Sequence, residues 1–234
     1  EIQKVITSKT KMIVAQHSFG IPCDIEPIVS LAKERKIFLL EDCALTLGSK
    51  INGTIVGNFG DAALFSTDHS KPLNTLIGGL IYTKNHFLAS CLKDSQAKLP
   101  SLSKSRQSAL LRRIMIESYC CNPARYSRLA LIDIYEIVRK RYFGGSKDFL
   151  DEDSGVEEIN SYPYPSKIPS FLAMIGIFEI ARWKDVKQQR KELLRSLIKI
   201  VMESNISSAL PRCYTNPKLD IVPVRFAWHC EYSD

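Results

Sequence analysis

Two residues of this chain, a lysine and an aspartate, suggest covalent cofactor chemistry, and each follows an apolar run. Lys71 lies in the polar stretch Ser66–Pro72, and Asp42 comes shortly after the run Ile37–Leu40. A lysine amine forms Schiff bases with aldehydes, and a carboxylate can keep a pyridine nitrogen protonated. The two residues together predict a site for pyridoxal phosphate (PLP), which is both an aldehyde and a pyridine.

Residues 10–83 alternate between strand-like and helix-like patterns. The strands are predicted at Met12–Ala15, Ile37–Leu40, Asp61–Ser66 and Gly79–Thr83, a helix at Ile25–Lys36 and a tight hairpin at Asn52-Gly53. Uninterrupted apolar strands separated by a helix indicate an α/β fold with a largely parallel sheet flanked by helices. Ligands of such sheets bind beyond the carboxyl ends of the strands, which is where Asp42 and Ser66 both lie.

The sequence changes in character after residue 83. Residues 85–143 have the pattern of several basic helices with a break near Asn122-Pro123, and an acidic, turn-rich segment follows. A long helix is predicted from Ser170 to Glu203, and Asp220–Phe226 is predicted to be the first strand of a second sheet. We therefore predict a partial PLP-binding large domain over residues 1–146, a linker over 147–167 and the start of a smaller C-terminal α+β domain over 168–234.

The composition is that of an ordinary globular protein. Hydrophobic residues make up 45% of the chain and charged residues 24%, which is typical of a folded domain with a substantial core. Seven cysteines without a Cys-x-x-Cys spacing provide neither a disulfide framework nor a zinc site, and they favour a reducing, cytoplasmic location. The chain opens with Glu1 and stops shortly after an apolar run, so we expect it to be a fragment of a longer protein.

The net charge of +7 is concentrated in residues 98–141. This segment contains ten Lys and Arg residues and three Asp and Glu residues, so its excess equals that of the whole chain. Such a segment could face a nucleotide diphosphate, an anionic membrane surface or an acidic partner. The solvated face of two amphipathic helices is the interpretation that we prefer, and membrane contact through residues 98–141 is less favoured. Nucleic-acid binding is not expected, because no recognition motif or aromatic platform accompanies the charge.

The segment from Thr10 to Thr83 resembles the PLP-binding half of the DegT/DnrJ/StrS family of sugar aminotransferases, which have the type I aminotransferase fold. The motifs that carry the resemblance are Gln16–Asp24, Glu41-Asp42-Cys43-Ala44, Gly57–Ser66, Ser70-Lys71 and Gly78-Gly79. Their order and spacing make the resemblance specific, since any one of them alone would be weak. A fainter match covers Lys167–Arg190, and the basic helical segment is not matched.

The resemblance implies roles for three residues. Lys71 would form the Schiff base with PLP, Asp42 would pair with the pyridinium nitrogen, and Ser66 would hold the phosphate. It also implies a homodimer that moves an amino group from an amino-acid donor, such as glutamate, to a nucleotide-linked keto-sugar for polysaccharide or lipopolysaccharide synthesis. His17 and Asp61 are expected to be structural residues without a chemical role.

Several positions depart from the family pattern. Leu45 stands where the family usually has Gln or His, Leu76-Ile77 where it often has Gly-Glu, and Pro165 where it usually has an Asn that reaches a neighbouring subunit's phosphate. These departures keep open a degenerate, non-catalytic member that acts as a binding or scaffold protein. A PLP-dependent sugar dehydratase of the same family is a further alternative, although those enzymes carry His in place of the Schiff-base lysine. The residues identify neither the sugar, the position aminated, the nucleotide nor the amino donor.

Overall fold

A computed structural model of the chain describes residues 1–120, 165–204 and 210–229, together with the single residues Ala124, Ile134, Val138 and Arg141. It contains two compact units, one formed by Glu1–Asp94 with Phe171–Asp234 and the other by Ser95–Ser170. The division into domains at residues 146 and 167 stays a prediction. The expected break at Asn122-Pro123 and residues 147–164 of the expected linker lie outside the described residues.

The first unit is built on a four-stranded sheet, which confirms the predicted α/β architecture. The strands of the described chain are β1 (Met12–Gln16), β2 (Phe38–Asp42), β3 (Lys50–Ile51), β4 (Thr54–Ile55), β5 (Ala62–Ser66), β6 (Gly79–Tyr82) and β7 (Leu219–Asp220). The larger sheet has the order β1-β2-β5-β6, in which the first three strands are parallel and β6 is antiparallel to β5. β6 follows β5 through the loop of residues 67–78 and returns antiparallel to it.

Helix α2 (Ile25–Arg35) covers one face of this sheet. Ile25, Leu31 and Ala32 are its buried residues, and they follow the helical spacing that predicted the element. The helix ends at Lys36, whose left-handed backbone directs its N–H to the last carbonyls of the helix. Strand β2 begins shortly after this cap, so its carboxyl end, at Asp42, is the end farther along the chain from the helix. The core beneath α2 consists of Ile13, Ala15, Ile25, Ala32, Ile37, Leu39, Cys43, Ile51, Val56 and Ala63.

The second sheet is small and antiparallel, with the order β4-β3-β7. The predicted hairpin at Asn52-Gly53 is confirmed, and both residues have the positive φ that a tight turn of this kind demands. The strand predicted at Asp220–Phe226 is wrong in extent, because β7 ends at Asp220. It is also not the first strand of its sheet, because β7 pairs with β3, which precedes it in the chain. Pro223 has no N–H to give to a ladder, and the Val222 N–H is used by a side chain instead.

Ser49 links the turn after β1 to the segment after β7. Its hydroxyl donates to the Gly20 carbonyl at 2.7 Å and accepts the Val222 N–H at 2.8 Å. The Val224 N–H reaches the Phe19 carbonyl at 3.0 Å. A Cβ on Gly20, whose φ is +89°, would lie 2.2 Å from the Val222 carbonyl oxygen. Only glycine therefore fits the turn while this segment lies across it.

The described helices outside the sheets are α1 (Ile2–Val5), α3 (His86–Lys98), α4 (Lys104–Cys120) and α5 (Ser170–Met202), with a 3-10 turn at Arg212–Thr215. The predicted long helix is confirmed by α5, and the described part of residues 85–143 is helical as expected. In the parts of the chain that the structure describes, no helix combines the length and apolar character needed to cross a membrane.

Glu41, the residue before Asp42, is a fully buried carboxylate that accepts four hydrogen bonds from described residues. Its Oε1 accepts the N–H groups of Phe59 and Gly60 at 2.7 Å each, and its Oε2 accepts the Gly57 N–H at 2.7 Å and His17 Nε2 at 3.2 Å. Burial opposes ionisation, but the bonds from His17 and the three amides outweigh it and lower the pKa of Glu41. One side chain thus ties together β1, β2 and the loop that leads into β5.

His17 is buried and structural, as expected. Its Nδ1 accepts the Cys23 N–H at 3.0 Å, so Nε2 carries the proton that it donates to Glu41. Burial, the largest influence on the ring, opposes a second proton. A proton on Nδ1 would also face the Cys23 amide hydrogen. We assign the neutral imidazole on this ground, because both ring nitrogens then have a complementary partner.

The same region brings three potential metal ligands together. Ligand atoms of His17, Glu41 and Cys43 lie within 4.8 Å of one another. The ring nitrogens of His17 and the oxygens of Glu41 are already engaged by the hydrogen bonds above. Burial and, after it, the Glu41 and Asp42 carboxylates raise the pKa of Cys43, so it stays a thiol rather than the thiolate that metals bind. The cluster is therefore part of the hydrogen-bonded core.

Replacing Glu41 by Gln tests this network. The glutamine NH₂ group would face two N–H donors, so we expect the free energy of unfolding at pH 7 to fall by about 3 kcal/mol. Because the folded-state pKa of Glu41 is lowered, its stabilisation is complete above the unfolded pKa and is lost as the pH falls through the folded value. The difference in unfolding free energy between wild type and Glu41→Gln should therefore shrink as the pH falls below about 4.5, the ordinary pKa of glutamate.

Urea denaturation at a series of pH values provides the measurement. Glu34→Gln is the matched control, because Glu34 is an exposed carboxylate on α2 and should change stability by less than about 0.5 kcal/mol. An equal loss in both variants, or a Glu41→Gln gap that does not depend on pH, would contradict the assigned role.

Candidate functional site

Asp42 and Ser66 end neighbouring parallel strands at the same edge of the large sheet. Asp42 is the last residue of β2 and pairs in register with Leu64 of β5, which continues to Ser66. On its other side Asp42 pairs with Gln16, the last residue of β1. These residues therefore lie at the carboxyl ends of adjacent strands, which is where the sequence predicted the binding site.

The Asp42 carboxylate is held at both oxygens. Oδ1 accepts the Ala44 N–H at 2.9 Å, which closes a local turn, and Oδ2 accepts Gln16 Nε2 at 3.2 Å. A carboxylate has about four lone-pair sites, so two hydrogen bonds leave it able to accept from a ligand. The Ala44 bond is the loop-capping contact that an aspartate after a strand often makes.

Lys71 lies in a loop that is closed by its own backbone. Hydrogen bonds run from the Thr67 N–H to the Gly78 carbonyl at 3.0 Å and from the His69 N–H to the Leu76 carbonyl at 3.0 Å. The buried Thr75 hydroxyl contacts the Thr67 hydroxyl at 2.6 Å within the base of the loop. Lys71 is half-buried beyond this base. The loop thus presents the lysine from a backbone that is fixed on both sides.

The side chains of Lys71, Asp42 and Ser66 share an end of the sheet but make no hydrogen bond or ion pair with one another among the described residues. The Ser66 hydroxyl accepts the Asp68 N–H at 3.3 Å, a turn-forming contact that leaves its own proton free to donate. His69, next to Lys71 in this loop, pairs with Asp68 at 2.6 Å and is 39% exposed.

Asp61 fixes the loop before β5, as expected. Its carboxylate accepts the Leu39 N–H at 2.8 Å, and its own N–H reaches the Leu39 carbonyl at 2.8 Å. Thr83 adds a hydrogen bond to the Asp61 carbonyl at 2.7 Å. Asp61 lies at the amino end of β5, opposite the edge that carries Asp42, and has a purely structural role.

The polar groups at the carboxyl ends of these strands have the chemistry that binding of PLP requires. A carboxylate with lone pairs to spare can accept from a protonated ring nitrogen, a hydroxyl can donate to a phosphate oxygen, and a primary amine can react with the aldehyde. The polar group that the sequence did not single out is the Gln16 amide. Its strand-end position was visible in the sequence, but its partner follows only from the register of β1 on β2.

Two departures from the family pattern have clear structural consequences. The Leu45 side chain cannot form a hydrogen bond, and its backbone carbonyl accepts the Gly20 N–H at 2.7 Å. Leu76 has φ +69°, the left-handed region that favours glycine, and its side chain is 2% exposed. The glycine that the family often has at this position would adopt this φ without strain. For leucine, burial of the side chain offsets the strain of the backbone. Ile77, 8% exposed, is buried with it.

Substitution of Leu76 separates backbone strain from burial. Gly usually destabilises relative to Ala by about 0.5–1 kcal/mol. At residue 76 we expect the reverse, with Leu76→Gly more stable than Leu76→Ala by about 1 kcal/mol, because only glycine escapes the left-handed penalty. Both variants should be less stable than wild type, since each removes a buried leucine side chain.

Chemical denaturation of the two variants measures the difference. Leu73, a buried leucine of the same loop without positive φ, provides the control pair. Leu73→Ala should be the more stable of that pair. The strain assignment would be refuted if the same order held at both positions.

Comparison with known proteins supports the sequence resemblance. The profile of the DegT/DnrJ/EryC1/StrS aminotransferase family matches residues 1–108. GDP-perosamine synthase of Escherichia coli O157:H7 is 47% identical over 88 residues, which are 38% of this chain and 24% of that protein. UDP-N-acetyl-3-dehydro-alpha-D-glucosamine 3-aminotransferase of Acidithiobacillus ferrooxidans is 41% identical over 83 residues, or 35% of this chain and 22% of that protein. The chain thus matches about a quarter of the length of these curated relatives.

Solved structures agree on the fold. The aminotransferase from Psychrobacter cryohalolentis superposes with a TM-score of 0.57 at 18% identity, over 95% of this chain and 48% of that one. DesV of S. venezuelae, solved in complex with a ketimine intermediate, gives a TM-score of 0.56 at 19% identity, over 95% of this chain and 45% of that one. At these identities the likeness concerns the fold. The sequence match covers residues 1–108, so this part of the chain is similar to the DegT/DnrJ/EryC1/StrS aminotransferase family.

Proposed function

We propose that this chain forms part of a PLP-dependent aminotransferase that moves an amino group from an amino-acid donor to a nucleotide-linked keto-sugar. The observation that carries the proposal is the set of groups at one end of the sheet: a lysine on a backbone-closed loop, a carboxylate anchored at both oxygens and a strand-end hydroxyl. We further propose that the whole protein works in the cytoplasm as a homodimer, as the family resemblance implies.

Each of the three side chains has a task in this proposal. Bound PLP supplies an electron sink for the carbon that gains or loses the amino group. Lys71 Nζ is the nucleophile that holds the cofactor aldehyde, and as a free amine it carries the proton between carbon atoms. The Asp42 carboxylate keeps a proton on the ring nitrogen through a charge-assisted hydrogen bond. The Ser66 hydroxyl donates to a phosphate oxygen.

The substrate class rests on the relatives. Two curated proteins that match at 47% and 41% identity are named for GDP-perosamine and for a UDP-linked amino sugar. Different nucleotides in two such relatives leave the nucleotide of this protein open, and the amino donor and the position aminated are open as well. Both names contain a nucleotide-linked sugar, and the 3-dehydro sugar of the second name is a keto-sugar, which is the acceptor class that we propose.

A non-catalytic binding or scaffold protein is the second candidate, and Leu45 and Leu76 favour it. Both are apolar where the family usually or often has another residue type, and the strained, buried Leu76 lies in the loop that presents Lys71. Lys71 itself favours the enzyme and disfavours the sugar-dehydratase alternative, in which histidine replaces this lysine. Retained PLP binding would separate the enzyme from the scaffold.

The test is covalent mapping of the cofactor. The protein is mixed with PLP, its visible absorption spectrum is recorded, and borohydride reduction followed by mass spectrometry locates the modified lysine. We expect a visible absorption band, and a pyridoxyl group on Lys71 in at least about tenfold excess over any other lysine, because a Schiff base in a built site is more stable than one on a surface amine. Lys71→Ala should lose the band, and Lys93→Ala, which removes an exposed lysine of α3, should keep it. Modification spread evenly over the lysines, or none at all, would overturn the proposal.

A further inference from the structure

Gln16 is the side chain that contacts Asp42 from the neighbouring strand. It ends β1, is the register partner of Asp42, and places Nε2 3.2 Å from Asp42 Oδ2. The exposed positions of β1 alternate as Met12, Val14 and Gln16, so the amide lies on the open face of the strand. Its position follows from the sheet register, and no loop has to adopt a particular conformation to bring it there.

The contact fixes the orientation of the carboxylate. The Ala44 N–H holds Oδ1 alone, and a carboxylate held at one oxygen is free to turn about its last torsion, which is broad in Asp. The Gln16 amide holds the second oxygen from a different strand. Two donors from two directions define the plane of the group and the direction of its remaining lone pairs.

The chemistry of glutamine suits this task. Its NH₂ group donates at every pH and carries no charge, so it orients the carboxylate without neutralising it. A lysine or arginine there would form an ion pair and compete with a cationic ligand for the same charge. A glutamate would repel Asp42. Leu45 provides no alternative, since its apolar side chain replaces the Gln or His that the family usually has near the cofactor.

We propose that Gln16 is a positioning residue for the cofactor, because it orients the Asp42 carboxylate toward the pyridine nitrogen of PLP. This inference rests on the proposed function, because it assigns Asp42 to the ring nitrogen. It concerns Gln16, which acts through Asp42 and does not itself need to touch PLP.

The experiment compares PLP with an analogue in which a carbon replaces the pyridine nitrogen. Dissociation constants are measured by fluorescence titration for wild type, Gln16→Leu and Gln16→Glu. We expect Gln16→Leu to weaken PLP binding about fivefold and Gln16→Glu to weaken it further, because a hydrogen bond to a charged group is lost and then replaced by repulsion. For the analogue, wild type and Gln16→Leu should bind equally, since Asp42 has no ring nitrogen to hold.

A control variant and the thermal stability of the PLP-free proteins exclude a merely structural effect. Val14→Ala removes a side chain from the same exposed face of β1 without a contact to Asp42, and it should bind PLP as wild type does. The unfolding temperature of PLP-free Gln16→Leu should match that of wild type within about 2 °C, because the contact is exposed.

The outcomes separate this inference from the function on which it rests. If wild type binds no PLP, the proposed function fails, and the role of Gln16 fails with it. If wild type binds PLP and Gln16→Leu binds equally well, the role of Gln16 alone is overturned. Equal weakening for PLP and for the analogue also overturns it, because the effect would then not pass through the ring nitrogen.

Discussion

The buried Glu41 carboxylate constrains the end of the large sheet at which β1 and β2 finish. Its four hydrogen bonds come from His17, the residue after β1, and from three backbone amides of the loop before β5. A buried charge without such partners would be strongly destabilising, so the loop must keep the conformation that aims its amides inward. Gly57 meets this demand with φ +91° and with no space for a Cβ, which would lie 2.7 Å from the Phe65 ring.

The candidate site depends on this constraint through strand alternation. Successive side chains of a strand point to opposite faces, so the residue after the inward-facing Glu41 must face the other way. That residue is Asp42, and its position on the open side of the sheet follows from the anchoring of its neighbour. Gln16 and His17 repeat the arrangement on β1, with the buried histidine bonded to Glu41 and the exposed glutamine bonded to Asp42. The buried pair, His17 and Glu41, and the candidate site pair, Gln16 and Asp42, therefore lie on opposite faces at the ends of β1 and β2.

Sequence patterns anticipated the elements better than the contacts between them. Apolar runs predicted β1, β2, β5 and β6. Burial accounts for the buried positions of β1, β2 and β5, whereas all four residues of β6 are exposed. The register that pairs Gln16 with Asp42 is set by two strands together, and neither strand records it alone. The strand predicted over Asp220–Phe226 was too long, since apolar residues there are buried against a turn rather than in a ladder. The roles of Lys71, Asp42 and Ser66 stay predictions, because the chemistry of a site depends on a ligand that no pattern contains.

The hydroxyl of Ser49 joins Gly20 to Val222, two parts of the chain that are far apart in sequence. Ser49 and Val222 are separated by 173 positions, so a ribosome must add that many residues after Ser49 before the Ser49 hydroxyl can accept the Val222 N–H. The strands of the large sheet are synthesised before Val222 and can pair while translation continues. The contact of residues 18–22 with the segment after β7 therefore belongs to a later step of folding, and a nascent chain halted before Val222 would lack it.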